Sequence, residues 1–133
     1  MALTLPLLDE MMKNPRVIGV KNSSMPVYDI IQFRSHGAMV FNGPDEQFVS
    51  GLLAGAVGGI GGTYAAMPEL YMTAREKVLS GDIAAATKLQ DVCCKLIEGL
   101  CSGQLQYVRH DQRGNPSPGR ALTRGMCVRP WLA

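Results

Sequence analysis

Long apolar runs are missing from this chain, and their absence excludes a class of function. No stretch approaches the ~18 uncharged apolar residues of a membrane span, so no membrane partner is expected. No secretion leader is expected either. The opening MALTLPLLDEMMKN lacks a basic start, its apolar run is short, and Asp9 and Glu10 interrupt it. No CxxC occurs, and neither His36 nor His110 stands at a zinc-like spacing, so no metal is expected. Cysteines are few: Cys93, Cys94, Cys101 and Cys127. The adjacent pair could hardly bond to itself without strain. Free thiols in a cytoplasmic protein are the expectation.

Charge is also scarce, at 18% of residues, against 47% hydrophobic, which is enough apolar content for a packed core. The 133 residues are about the length of one ordinary domain. The net charge of +2 is unevenly placed. Residues 1–102 hold eight Lys/Arg against ten Asp/Glu; residues 103–133 hold five Arg against one Asp. Such a basic tail matches a nucleic-acid signature.

Turn residues and apolar periods divide the rest. Thr4 can cap a helix running to Asn14, with Leu7, Leu8, Met11 and Met12 on one face. Residues 17–21 read as a strand. Pro26 suits the first turn of a helix that VYDIIQFRSH carries to Gly37. Residues 38–41 (AMVF) read as a second strand. Pro44-Asp45-Glu46 opens a helix with acids in its first turn. Residues 58–63 (GGIGGT) read as a third strand. Helices follow over roughly 65–80 and 82–102, with Asp82 able to cap the second. Strands that start at 17, 38 and 58 make a βα period. They are apolar on both faces, as buried parallel strands are. The fold class is α/β, either an open doubly wound sheet or a closed eight-unit barrel.

Both architectures put ligands at the carboxyl ends of the parallel strands. Three polar clusters fall there: Lys21 to Ser24, Asn42 to Glu46, and Gly61 to Tyr64. A lysine in such a mouth is expected to be partly desolvated, which disfavours the ammonium and frees the amine to attack a carbonyl carbon. The protonated imine so formed withdraws electrons and stabilises a neighbouring carbanion, so a carbon–carbon bond can break or form. The competing reading makes Lys21 a surface lysine at a loop start. GGIGGT has a packing explanation, close approach of a neighbouring strand, and a functional one, backbone amides near a ligand carboxylate. A dinucleotide site is weakly suggested, because these glycines lie within the strand. Asp45 and Glu46 are either ordinary helix-start acids or partners for the hydroxyls of a polyol.

GVKNSS, FNGPDEQFVSGLLAGAVGGIGGTYAAMPELY and the KLQ of residues 88–90 resemble the N-acetylneuraminate lyase / dihydrodipicolinate synthase family over roughly residues 4–102. The resemblance implies the C-terminal portion of a TIM (β/α)8 barrel, about strands 6–8, followed by C-terminal helices. It implies a class I aldolase acting on pyruvate, without a cofactor, in a homotetrameric family. Lys21 matches the Schiff-base lysine and Ser23 the hydroxyl residue two places on. Gly43, Asp45 and Glu46 match a GxDE motif that binds the sugar chain. Gly61 and Thr63 match the strand that follows, and Gly62 stands where some sialate lyases carry a serine. The pairing resembles the N-acetylneuraminate lyase side, which cleaves sialic acid to N-acetylmannosamine and pyruvate. Dihydrodipicolinate synthase and 2-keto-3-deoxy sugar acid aldolases are the alternatives.

The resemblance also implies that five βα units, a threonine-rich motif for the pyruvate carboxylate and a proton-relaying tyrosine are not among these residues. Tyr28, Tyr64, Tyr71 and Tyr107 are not at that tyrosine's position. The expectation is a fragment that is inactive alone. After Gly103 the resemblance stops, and 103–133 reads as an irregular basic tail. Codons compatible with Tyr107 to Leu122, read one base over, can spell the amphipathic TYAMIKEAILRLEE, and the closing VRPWLA resembles the family's VRPPLA. A shifted frame over about 104–126 would make the arginines accidental, so no nucleic-acid partner is expected. The competing class is a non-catalytic α/β interaction domain whose tail binds an acidic partner.

Overall fold

The computed structural model describes residues 3–102, 109–110 and 116–117. Helix α1 (Leu5–Met12) precedes strand β1 (Gly19–Asn22), helix α2 (Val27–Ser35) and strand β2 (Met39–Asn42). A 3-10 turn (Asp45–Gln47) leads into α3 (Phe48–Leu53), then β3 (Gly58–Gly59), α4 (Pro68–Leu79) and α5 (Ile83–Cys101). Two short strands, β4 (Arg109–His110) and β5 (Pro116–Ser117), pair antiparallel. The remainder of the tail, and with it the shifted-frame reading, lies outside the described residues.

The first three strands form one parallel sheet in the order β1-β2-β3. Lys21 pairs with Phe41 and Asn22 with Asn42; Phe41 pairs in turn with Gly58. The fold is therefore α/β with a small parallel sheet and helices, as the βα period indicates. Paired residues of a parallel ladder share a face, and successive residues alternate. Val40 is buried in a cluster with Leu8, Ile30, Phe33, Ala38 and Ala56, and Val20 packs on it. One sheet face is thus sealed by α1 and α2. Lys21 and Phe41 share the other face with Met39, and half-buried Met39 and Phe41 join none of the buried clusters.

Three expectations change in detail. Thr4 sits at the cap of α1 in extended conformation, but its side chain makes no cap hydrogen bond. Leu8 is buried with Leu5 and Met12 packed beside it, whereas Leu7 and Met11 are exposed. The inward stripe therefore follows the i, i+3, i+7 spacing. The third strand is two residues long rather than six. Its last ladder bond is Ile60 N–H to the Asn42 carbonyl. Beyond that the chain bends away, because Asp45 captures the Thr63 amide across the strand end. Asp82 caps α5 as expected, accepting from the Ala85 N–H at 3.2 Å.

The two C-terminal helices pack under the strand ends through two further clusters. Phe48, Tyr64, Tyr71 and Cys93 form one; Val49, Ala74 and Ala86 form the other. In the first, Phe48 meets both tyrosine rings edge-on, at centroid distances of 5.3 and 5.4 Å. That is the arrangement ring quadrupoles favour.

Candidate active site

The ends of β1 and β2 are joined by main chain. Gly43 N–H donates to the Asn22 carbonyl at 2.7 Å. A Cβ at Gly43 would stand 2.4 Å from that oxygen and 2.8 Å from Ser23 Cα, so only glycine allows the approach. Lys21 lies one residue before the end of β1, at the same end of the sheet as Asp45 and Thr63. It is exposed. The expected desolvation of its amine is therefore corrected: β1 is a sheet edge and the face bearing Lys21 carries no packed layer among the described residues. Ser23 is exposed beside it.

Below them the polar chain is internal. Asn22 Oδ1 accepts from Ser24 N–H at 3.2 Å, forming an Asx turn that closes the strand end. Ser24 Oγ lies 2.6 Å from the same oxygen and 2.5 Å from Asp29 Oδ2, tying the turn to α2. Asn42, fully buried, donates to the Pro44 carbonyl at 2.6 Å and to Tyr64 Oη at 3.2 Å.

Asp45 and Glu46 are adjacent in sequence but sit in different surroundings. Asp45 is buried, and its Oδ2 accepts both the Thr63 N–H and the Thr63 hydroxyl at 2.6 Å. Thr63 Oγ1 lies 2.7 Å from Tyr71 Oη. The one threonine proton goes to the carboxylate, so Tyr71 donates to Thr63. A buried line runs from α4 through the third strand end to the acidic turn. One of the Asp45 oxygens therefore already serves Thr63, which leaves Oδ1 as the oxygen without a hydrogen bond among the described residues. Glu46 is exposed, and its carboxylate has no hydrogen bond or ion pair among the described residues.

Burial pushes the Asp45 carboxyl above its ordinary range, against the lowering effect of the hydrogen bonds from Thr63. Burial likewise raises Tyr64, Tyr71 and the Cys93 thiol. The raised carboxyl has a consequence for stability. The folded state holds this proton more tightly than the unfolded chain does, so stability falls as pH rises from the unfolded value through the folded one. The cost is fully present only above the folded value. Asp45→Asn is expected to remove it. In urea titrations, wild type should lose stability relative to the variant between pH 4 and a pH above the folded carboxyl's own range. Asp45→Ala should instead cost about 1–3 kcal/mol at both pH values, because the buried Thr63 N–H loses its acceptor.

The structure thus brings Asp45, Gly61 and Thr63 together, and Gly43 with Ser23. Gly62 is exposed at their rim, with Asp45 Oδ2 3.8 Å from where its Cβ would be. The sequence places Asn42 and Tyr64 in the polar clusters without a specific role, and it assigns none to Tyr71 or Gln90. The first three belong to this network because of parallel register and helix docking, which have no short-range signal. Gln90 is part of the KLQ stretch, which by itself carries no role.

The pattern of the Dihydrodipicolinate synthetase family matches residues 1–108. The N-acetylneuraminate lyase of Mediterraneibacter gnavus is 56% identical over 104 residues, covering 76% of this chain and 33% of that protein. The wild-type sialic acid aldolase of Ruminococcus gnavus superposes with a TM-score of 0.75 at 50% identity, over 82% of this chain and 36% of that one. The same aldolase solved as a catalytic lysine mutant also gives a TM-score of 0.75, at 49% identity, with the same coverage. The chain spans about a third of the length of the relatives it matches. With the pattern covering most of its residues, the chain belongs to the dihydrodipicolinate synthetase family.

Proposed function

We propose that these residues carry the Schiff-base lysine and the sugar-chain subsite of an N-acetylneuraminate lyase. They would form about strands 6–8 of a (β/α)8 barrel and its C-terminal helices over 1–102, with 103–133 as a separate tail. The observation that carries the reading is the position of Lys21, near the carboxyl end of a parallel strand, at the same end of the sheet as Gly43–Glu46 and Gly61–Thr63. A related aldolase that works through a lysine supports it.

In this reading Lys21 Nζ adds to the keto carbon of the substrate, and loss of water gives the imine. Once protonated, the imine draws in the electron pair of the bond between its neighbouring carbon and the next, hydroxyl-bearing carbon. That hydroxyl gives up its proton as the bond cleaves, and the sugar aldehyde leaves. The enamine left behind takes a proton on carbon to become the imine of pyruvate. Hydrolysis of the imine then returns pyruvate and the free amine. Exposed Glu46 and the peptide groups at Gly43 and Gly61 are available to the sugar chain. Asp45 places Thr63 through the bonds described above. The partners are pyruvate and a sugar aldehyde, in a cytoplasmic homotetramer of the family's kind, with no nucleic acid.

Incubating the protein with pyruvate and borohydride, then digesting it, tests the proposal. A pyruvate-sized adduct on Lys21 is the expected outcome. A folded sample with no adduct there points to the non-catalytic interaction domain instead. Turnover of sialic acid at a normal rate is not expected from these residues alone. Lys21 faces water on an uncovered sheet face, and β1 and β3 are open edges among the described residues.

A further inference from the structure

The acidic turn after β2 is held from outside the sheet, by one face of α5. Gln90 donates from Nε2 to the Asp45 carbonyl at 3.1 Å and accepts the Val49 N–H on Oε1 at 2.9 Å. One helical turn on, Cys94 Sγ lies 3.4 Å from the Glu46 carbonyl and 3.6 Å from Gln90 Nε2. These contacts span more than forty residues of sequence and engage only main-chain atoms of the turn. They matter because the turn's own geometry leaves its peptide groups short of partners. Residues 45–47 form a 3-10 turn without a side-chain cap at its start, and Gln47, at the start of α3, also makes no side-chain cap. The first N–H groups of a helix need acceptors from elsewhere. Gln90 supplies one to Val49 and, with its other end, fixes the carbonyl of the residue whose carboxylate holds Thr63. A single amide side chain therefore sets where both acids sit relative to the third strand end.

We infer that Gln90 is a positioning residue for the Asp45–Glu46 turn, with Cys94 as its auxiliary. That the turn serves a sugar chain rests on the function proposed above; that Gln90 places it does not. The chemistry suits the task. An amide offers a donor and an acceptor in one plane, and the two partners are the first residue of the 3-10 turn and the second residue of α3. An aliphatic residue of similar size at this position fills the space and leaves both partners unsatisfied.

Amide hydrogen exchange by NMR on the whole chain tests this directly. Gln90→Leu should speed exchange at Val49 and Thr63 by about fivefold or more, the worth of one ordinary hydrogen bond, while Val40 in β2 and Ala86 in α5 keep their rates. Gln90→Glu separates the two halves of the contact. Its carboxylate accepts from Val49, so that amide should slow again. It cannot donate to Asp45, so Thr63 should stay fast. Unchanged rates at Val49 and Thr63 in Gln90→Leu would overturn the inference. So would a uniform rise at all four amides, which marks a general loss of stability. A titration with N-acetylmannosamine, followed at the Glu46 amide, reads the functional half separately. Binding to wild type that weakens at least about threefold in Gln90→Leu is expected from a displaced turn. Wild type that binds no sugar counts against the subsite, and the exchange rates still judge Gln90.

Discussion

Lys21→Arg is expected to abolish covalent capture of pyruvate while leaving the fold unchanged. The side chain at 21 is exposed and forms no hydrogen bond or ion pair among the described residues. Its replacement should therefore move stability by no more than ~0.5 kcal/mol. Chemistry separates the two cations. An ammonium can release its proton and become a nucleophile, whereas a guanidinium stays protonated throughout the working range. Mass spectrometry after borohydride reduction should show the adduct in wild type and none in the variant, with matching circular dichroism. An adduct of wild-type intensity at Lys13, Lys77, Lys88 or Lys95 in the variant would mean that capture is ordinary lysine chemistry. The assignment of residue 21 would then fail.

Gly61→Ala should produce a large loss of stability for a single added methyl. A Cβ at this position would stand 1.7 Å from Asp45 Oδ1, 2.6 Å from the Gly43 carbonyl and 2.6 Å from the Tyr64 ring. One of the three is backbone, and the other two belong to buried side chains, so none can give way cheaply. Overpacking costs about 1–3 kcal/mol. If Asp45 is displaced, the buried Thr63 N–H also loses its acceptor, at about 1–3 kcal/mol more. For a domain of this size, ~2 kcal/mol lowers the melting midpoint by about 8–16 °C. The neighbouring Gly62→Ala is the control. Its methyl meets only Asp45 Oδ2, at 3.8 Å, and its backbone is not left-handed. That variant should melt within about 2–4 °C of wild type, the equivalent of ~0.5 kcal/mol. Equal losses from the two alanines would show that the geometry around Asp45 is wrong.

Much of this architecture is legible in the residues, and the limits have physical causes. The order of strands and helices follows from apolar runs broken by Pro and Gly, and the chain positions of Lys21, Asp45 and Thr63 at one end of the sheet follow from that order. The length of the third strand does not. GGIGGT has no side chain to favour either outcome, and a tertiary bond from Asp45 decides where pairing stops. The different surroundings of Asp45 and Glu46 are equally hidden. Two adjacent carboxylates in a first helical turn look alike until Thr63 arrives from eighteen residues away. Lys21 shows the converse failure. Its place in the strand is readable, but its hydration depends on what lies against the open sheet face, which no local pattern encodes.

The peptide-to-peptide bond from Gly43 to Asn22 has an implication for how such proteins diversify. The spacing between the amine and the acidic turn is written into amide groups that every sequence possesses, with one hydrogen in place of a side chain as the sole requirement at residue 43. Mutation can therefore exchange the side chains at 46 or 62, which the proposed function assigns to the aldehyde, without disturbing the distance between the two ends. New acceptor preferences are then reached by small steps on an unaltered frame.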